Sequence, residues 1–334
     1  MTPHRALRST APYRAGGPLI SVVVALCALT AVGVPTAFAG VGHVTLFSAK
    51  ASAVTAGPGR NVWFASGGAI GRITHKGVVT RFPLHQGMAA TFGITTGPDG
   101  NLWFPEFSNS GEFIGRMSPS GAVKDFPVPD GTRAENIAPG GDGNVWFTAH
   151  DRLIGRITPA GAVRLFRLRT QHAYVEALTD GPDGNVWFTE RHPAQIGRIT
   201  PAGDVTEFGL PADMQTHNLN GITAGRDGLV WFTDAHGNGL IMAMNTNGAV
   251  VRTIRPKGTP NPAGITVGAD GTLWFAAHNG IDVGHLKADG TVAAYHVIDD
   301  SNVLRDTIAL GGDGDLWLPA GEPYPRYIAR VAGG

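Results

Sequence analysis

The sequence predicts an all-β protein, a seven-bladed β-propeller of four-stranded blades whose ring is closed by the N-terminal strand. Three observations predict it. The seven tryptophans, Trp63, Trp103, Trp146, Trp187, Trp231, Trp274 and Trp317, are spaced by 40, 43, 41, 44, 43 and 43 residues, the period of propeller blades. Each lies in a copy of one unit, clearest as GPDGNVWFTE at 181–190. Composition suits many short strands joined by tight turns, with glycine high at 48 residues and charged residues only 16% of the chain.

Residues 93–126 show the four strands of one period. The first covers 93–96, the second 101–106, the third 114–118 and the fourth 123–126. Pro98-Asp99-Gly100 joins the first two, and Pro119-Ser120-Gly121 joins the last two. In each turn proline presets one φ and glycine accepts a positive one. The second strand, NLWF at 101–104, is apolar on consecutive residues, as a strand covered on both faces should be. A single blade would expose both faces, so its stability must come from neighbouring blades.

The chain ends fit together. Copies of the outer strand read VTLF (44–47), VTRF (79–82), VKDF (123–126), VRLF (163–166), VTEF (205–208), VVRTI (250–254) and VAAYHV (292–297). The first precedes any complete blade, and the last segment, YIARV at 327–331, is a third strand without a fourth. Residues 44–47 therefore complete blade seven and remove the free edges. One domain is expected from 41 to 334.

Residues 1–39 are of another kind. Arg5, Arg8 and Arg14 precede an apolar run over 19–34, and Ala37-Phe38-Ala39 stands before Gly40, the pattern of a secretory signal peptide cleaved near Ala39-Gly40. The alternative, a retained membrane anchor, needs roughly 20 apolar residues. The expectation is thus a secreted, extracellular protein with no membrane attachment after cleavage. Cys27, the only cysteine, lies in the leader, which leaves the exported chain without disulfides, thiol nucleophiles or thiolate metal sites. Removing three arginines and no acid from 26 of each leaves 23 basic against 26 acidic residues. A mildly acidic chain without a basic run has no footprint for nucleic acid.

Topology separates two faces. One carries the tight turns. The other carries the connections from strand two to three and the crossovers between blades, where function usually sits. Aligning the copies puts Ser52, Phe92, Glu135, Glu176, Asn220, Ala263 and Asp306 at one position near the central channel. A second ring, three residues after each tryptophan, holds Ser66, Glu106, Ala149, Glu190, Asp234, Ala277 and Ala320. Beside them lie His150, His172, Tyr174, His192, His217, His236, His278 and Glu322. Histidines and acids at a concave mouth mark a candidate site, although loop residues are also polar simply because they are wet. Candidate ligand-binding residues are Glu106, His150, His172, Tyr174, Glu190, Asn220, Asp234 and His236. Glu190 is also able to pair with Arg198. Glu135 and Glu176, in adjacent blades, form a candidate site for a hard divalent cation. The arginines of the recurring IGR segment, Arg72, Arg116, Arg156 and Arg198, are structural candidates that stack on indole rings.

The unit GITxGPDGNLWFTE…IGRITPxGxVTEF, best seen at 93–126 and 177–208, resembles the streptogramin lyase (virginiamycin B lyase-like) propeller family. The likeness runs over the whole mature chain, strongest in blades two to five. It implies a seven-bladed propeller that opens cyclic depsipeptides by elimination across the ester C–O bond, with Mg2+ assisting. Such chemistry needs a base at the α-proton and an electrophile for the departing carboxylate. The family's two histidines fall at Ala263 and Asp306, and its two glutamates at Leu304 and Gly321. None of the four matches, although Asp306 is itself a carboxylate and Glu322 lies one residue after Gly321.

The functional expectation is a propeller that binds a small molecule or peptide on the His/Glu-bearing face. As an enzyme it would be a metal-assisted carbon-oxygen lyase on a cyclic ester, with His217, His278, Asp306 and Glu322 as catalytic candidates and Glu135 and Glu176 holding Mg2+. Metal-dependent lactone hydrolysis would use similar residues. The non-catalytic alternative is an extracellular interaction propeller docking a protein partner.

Overall fold

Val44–Ser48 pairs antiparallel with Tyr327–Val331, from Val44 opposite Val331 to Ser48 opposite Tyr327. The first strand thus completes the last sheet, as the chain ends predict. The computed structural model describes residues 41–333 apart from 91, 130–131, 151, 213–217, 236–238, 258–260, 278–281, 299–306 and 322–325. Its strands form seven antiparallel sheets in a closed propeller ring. Blade one runs from Ala53–Gly57 to Val79–Pro83 and blade three from Ala134–Pro139 to Val163–Arg167. Blade four runs from Val175–Asp180 to Val205–Gly209, blade five from Leu219–Ala224 to Val250–Ile254, and blade six from Pro262–Val267 to Val292–His296. Blade seven combines Ala309–Leu310, Leu316–Ala320 and Tyr327–Val331 with the N-terminal strand. The expected leader, residues 1–39, lies outside the described residues.

Blade two departs from its expected strand bounds. Its second and third strands, Leu102–Ser108 and Gly111–Met117, run on into a tight connection at Asn109 and Ser110. The longer second strand pairs with two short pieces, Ala89–Ala90 and Thr95–Thr96, in place of one strand over 93–96.

The second strands are buried on both faces, as their unbroken apolar runs require. Each tryptophan is buried, and all but Trp231, whose outer strand VVRTI has no ring, stack on an aromatic from that strand, as Trp187 does on Phe208 at 5.4 Å and Trp317 on Phe47 at 5.5 Å. The IGR arginine covers the indole from the turn side: Arg198 lies 5.5 Å from the Trp187 ring centre and Arg116 5.6 Å from that of Trp103. The aspartate of the turn accepts the indole N–H, as Asp183 does from Trp187 at 2.8 Å. One repeated unit therefore supplies a stacked aromatic pair, a cation over it and a partner for its only polar atom. Trp63 lacks this partner. Gly59 stands where the aspartate would be, and the Trp63 Nε1 has no partner.

The same arginines join blades. Arg116 donates to the Pro159 carbonyl at 2.6 Å, Arg156 to Pro201, Arg198 to Thr246 at 2.9 Å, and Arg330 to His75 at 2.8 Å. The last of these crosses the seam where the ring closes. The glycine before each IGR arginine is dictated by close approach: a Cβ on Gly197 would lie 2.0 Å from the Phe188 ring.

Candidate functional site

In blades three to six the first strand changes register as it enters the sheet, between Ala134 and Ile137, Val175 and Leu178, Leu219 and Ile222, and Pro262 and Ile265. Such irregularities bend a strand and re-aim its side chains. Glu135, Glu176, Asn220 and Ala263, the channel ring expected from alignment, all sit inside them. In blades three to five the threonine after Trp-Phe holds the bend. Thr189 Oγ1 accepts from the Ala177 N–H at 3.1 Å and donates to the Asn220 carbonyl of the next blade at 2.8 Å. Thr233 repeats this with Gly221 and Ala263.

Blades three and four build a connected polar cluster on this ring. The Tyr174 hydroxyl of blade four donates to Glu135 Oε2 of blade three. The other Glu135 oxygen lies 3.1 Å from His150 Nε2 and 3.4 Å from Arg133 Nε. The rings of His150 and Tyr174 meet edge to face at 5.9 Å. Glu176 lies 3.0 Å from Arg191 Nη2, and that guanidinium sits 6.0 Å from the Tyr174 ring centre. Burial, then the bond to Glu135 and the charges of both glutamates, push the Tyr174 phenol well above its ordinary range. Glu112 borders the cluster, its carboxyl raised by burial against the opposing pull of Arg133 and His150. The structure thus unites Glu135, Glu176, His150 and Tyr174. Arg133, Arg191 and Glu112 were missed, although Arg133 stands two residues before Glu135 and Arg191 directly follows Glu190.

The second ring is placed differently from expectation. Glu106, Glu190 and Asp234 are fully buried inside their blades, not on the rim. Glu190 does not pair with Arg198, which lies at the other end of the strand, 3.5 Å from Asp183. Its Oε2 accepts from Gln195 Nε2 at 2.9 Å instead, because strand pairing sets Glu190 opposite Gln195 and Trp187 opposite Arg198. Burial pushes the Glu190 carboxyl up to about 8; the Gln195 bond opposes this and the Glu207 charge adds to it. Neither Glu106 oxygen meets a donor, and its neighbour is another acid, Asp125. Burial, then the charge and carboxyl contact of Asp125, raise Glu106 to about 9. Asp125 in turn lies 2.5 Å from His85 Nδ1.

His172 is exposed in a left-handed conformation at φ 60. Asn220 is buried, and its Nδ2 has no hydrogen-bond partner. His217, His236, His278, Asp306 and Glu322 lie outside the described residues. Of the four positions aligned with the family's catalytic side chains, Ala263 is fully buried with its carbonyl bonded to Thr233, and Gly321 has φ 93. Leu304 and Asp306 are not among the described residues.

Among the described residues no group of three or more His, Cys, Asp or Glu stands together as a metal cage. Glu135 and Glu176 each already face a guanidinium, so the donor set as arranged does not suit Mg2+, which demands near-octahedral oxygen ligation.

The sequence profile described as the Virginiamycin B lyase family matches residues 36–238 and 212–331. The chain belongs to the virginiamycin B lyase family. Virginiamycin B lyases of Bordetella parapertussis and Bordetella bronchiseptica are each 45% identical over 51 residues, a segment covering 15% of this chain and 16% of theirs. The matched segment thus spans less than a fifth of those relatives. A structure of a streptogramin B lyase superimposes with a TM-score of 0.75 at 26% identity, over 87% of this chain and 97% of that one. A catalytically inactive variant of virginiamycin B lyase from Staphylococcus aureus, with quinupristin, gives 0.75 at 28% identity, over 87% and 99%. Family membership and architecture therefore coincide, while Ala263 and Gly321 lack the side chains that a lyase of this kind is expected to carry there.

Proposed function

We propose that this family member is an exported propeller that binds a small molecule or peptide on its crossover face, at the junction of blades three and four. The observation that carries this reading is the convergence of Tyr174, His150 and Arg133 on the single carboxylate of Glu135, next to the Glu176–Arg191 pair. These groups come from two blades and gather at one mouth, offering donors and acceptors for a polar ligand within reach of one another. The buried, unpartnered Nδ2 of Asn220 adds a donor in the next blade.

Carbon-oxygen lyase action on a cyclic depsipeptide or lactone is the catalytic form of the same proposal, supported by family membership. His150, whose Nε2 lies 3.1 Å from Glu135, is the described imidazole placed to take a proton there. For Mg2+ to take part at Glu135 and Glu176, Arg133 and Arg191 would first have to leave them. An interaction propeller docking an extracellular protein is the non-catalytic form.

Calorimetry and mass spectrometry with quinupristin, with and without Mg2+, separate these forms. Ring opening at unchanged mass, lost in His150→Ala, supports elimination, and addition of one water supports hydrolysis. Binding of intact quinupristin that is lost in Glu135→Ala supports recognition alone. No binding at all defeats the small-molecule reading for this ligand class and leaves protein docking.

A further inference from the structure

The arginine bonds that tie one blade to the next are interrupted between blades five and six. At four junctions a third-strand arginine reaches the next blade's turn, as Arg116, Arg156, Arg198 and Arg330 do, while Arg72 of blade one bonds Thr80 of its own blade and His285 stands at this position in blade six. Here the third-strand position is Ala243, and an arginine stands opposite it on the fourth strand as Arg252. Arg252 still covers the indole, 5.7 Å from the Trp231 ring centre. Beside Ala243 and Arg252, between the turns of blades five and six, lies a cavity of about 160 Å³. It opens on the tight-turn face, between the turns at 225–228, 271–273 and 286–290.

Its lining has two characters. Ile254, Leu273 and Leu286 make an apolar wall, while Arg226, Arg252 and Lys287 bring three cations against one acid, Asp227. Arg226 is engaged with the Ala269 carbonyl at 3.0 Å. Asp227 accepts the Trp231 indole N–H at 3.2 Å and lies a loose 3.8 Å from Arg252, whose side chain is 58% exposed. The other acids of these turns, Asp270 and Asp289, accept from Thr272 and Thr291. Arg252 and Lys287 thus have cationic capacity left over at the mouth of an apolar hole.

We propose that this cavity binds a small carboxylate with a compact apolar body, its acid group held by Arg252 and Lys287 and its body against Ile254, Leu273 and Leu286. A guanidinium fork matches a carboxylate in two parallel hydrogen bonds. An apolar cavity of roughly 150 Å³ accepts a benzene-sized group. The site lies on the face opposite the Glu135 cluster, so its failure leaves that reading untouched, and the reverse.

The test is calorimetric titration of the protein with benzoate, with benzyl alcohol as the neutral control of similar size. Two kinds of variant accompany it. Lys287→Gln changes one exposed turn residue and leaves the fold intact. The exchange Ala243→Arg with Arg252→Thr reproduces Arg198 opposite Thr206 in blade four and fills the cavity with a guanidinium. Expected are saturable benzoate binding, none for benzyl alcohol, a loss of about tenfold or more in affinity for Lys287→Gln, and no binding in the exchange variant. Absence of saturable benzoate binding, equal binding of benzyl alcohol, or undiminished affinity in either variant overturns the proposal.

Discussion

The Tyr174 hydroxyl donates to Glu135 across the boundary between blades three and four, with His150 and Arg133 on the carboxylate's other oxygen. The bond is both an inter-blade tie and the centre of the candidate site. Tyr174→Phe keeps the ring against His150 and removes only the donor. A hydrogen bond to a charged acceptor contributes about 1.5–3 kcal/mol, and partial exposure here places the expected loss at the lower end. Urea denaturation measures it. If Glu135 recognises the ligand, Tyr174→Phe also weakens quinupristin binding while Glu176→Gln leaves the Tyr174 bond intact; equal stability of Tyr174→Phe and the parent would show the bond to be inconsequential.

The buried acids of blades two and four make stability fall as pH rises. Glu106 and Glu190 have folded pKa values raised to about 9 and about 8 from 4.5, so the folded protein holds these protons more tightly than the unfolded chain. Their favourable contribution is complete below about pH 4.5 and is lost progressively as pH rises through 8 and 9. One such group tilts stability by up to roughly 1.4 kcal/mol per pH unit between its two pKa values. Glu106→Gln mimics the protonated acid, so denaturation midpoints at pH 5, 7 and 9 should converge relative to the parent. A Glu106→Gln protein that keeps the parent's full slope sinks this reading.

Loss of an inter-blade arginine should cost more than loss of the same arginine where it bonds inside its own blade. Arg198 covers Trp187 and donates to Thr246 of blade five, while Arg72 covers Trp63 but donates to Thr80 of blade one at 3.4 Å. Arg198→Ala removes a cation–π contact and a bond to a part-buried carbonyl, about 1–3 kcal/mol together. Arg72→Ala should cost the smaller part. Thermal denaturation of the two variants side by side decides it, and equal costs would mean that the inter-blade bond contributes nothing.

Blade count, ring closure and the indole–arginine stacks were legible because each depends on a residue type repeated at a fixed interval. Trp187, Arg198 and Phe208 must meet wherever the period holds. The channel ring of Glu135, Glu176 and Asn220 was legible for the same reason. What escaped were features set by strand pairing at single-residue precision. Glu190 sits three residues after Trp187, yet whether it faces solvent or the sheet interior depends on Gln195 standing opposite it. The irregularities that re-aim Glu135 and Glu176 have only a faint local signal, the threonine after Trp-Phe. Arg133 and Arg191 belong to no repeated position, so periodicity carried no information about them.

Ring closure by residues 44–48 makes truncation the most severe change to test. Removing the strand strips Tyr327–Val331 of five paired residues, from Val44 opposite Val331 to Ser48 opposite Tyr327. It also takes away Phe47, which stacks on Trp317 at 5.5 Å and packs against the Gly77 turn of blade one. An unpaired strand edge beside an uncovered indole is a template for association with other chains. A chain beginning at residue 49 should therefore unfold at lower urea and scatter light at concentrations where the parent is monodisperse. Adding a synthetic peptide of residues 41–50 should restore part of the stability, because the missing strand brings its own hydrogen bonds and aromatic ring. A truncated chain as stable and monodisperse as the parent would mean that the seam between blades seven and one is held by other contacts, chiefly Arg330 on the His75 carbonyl.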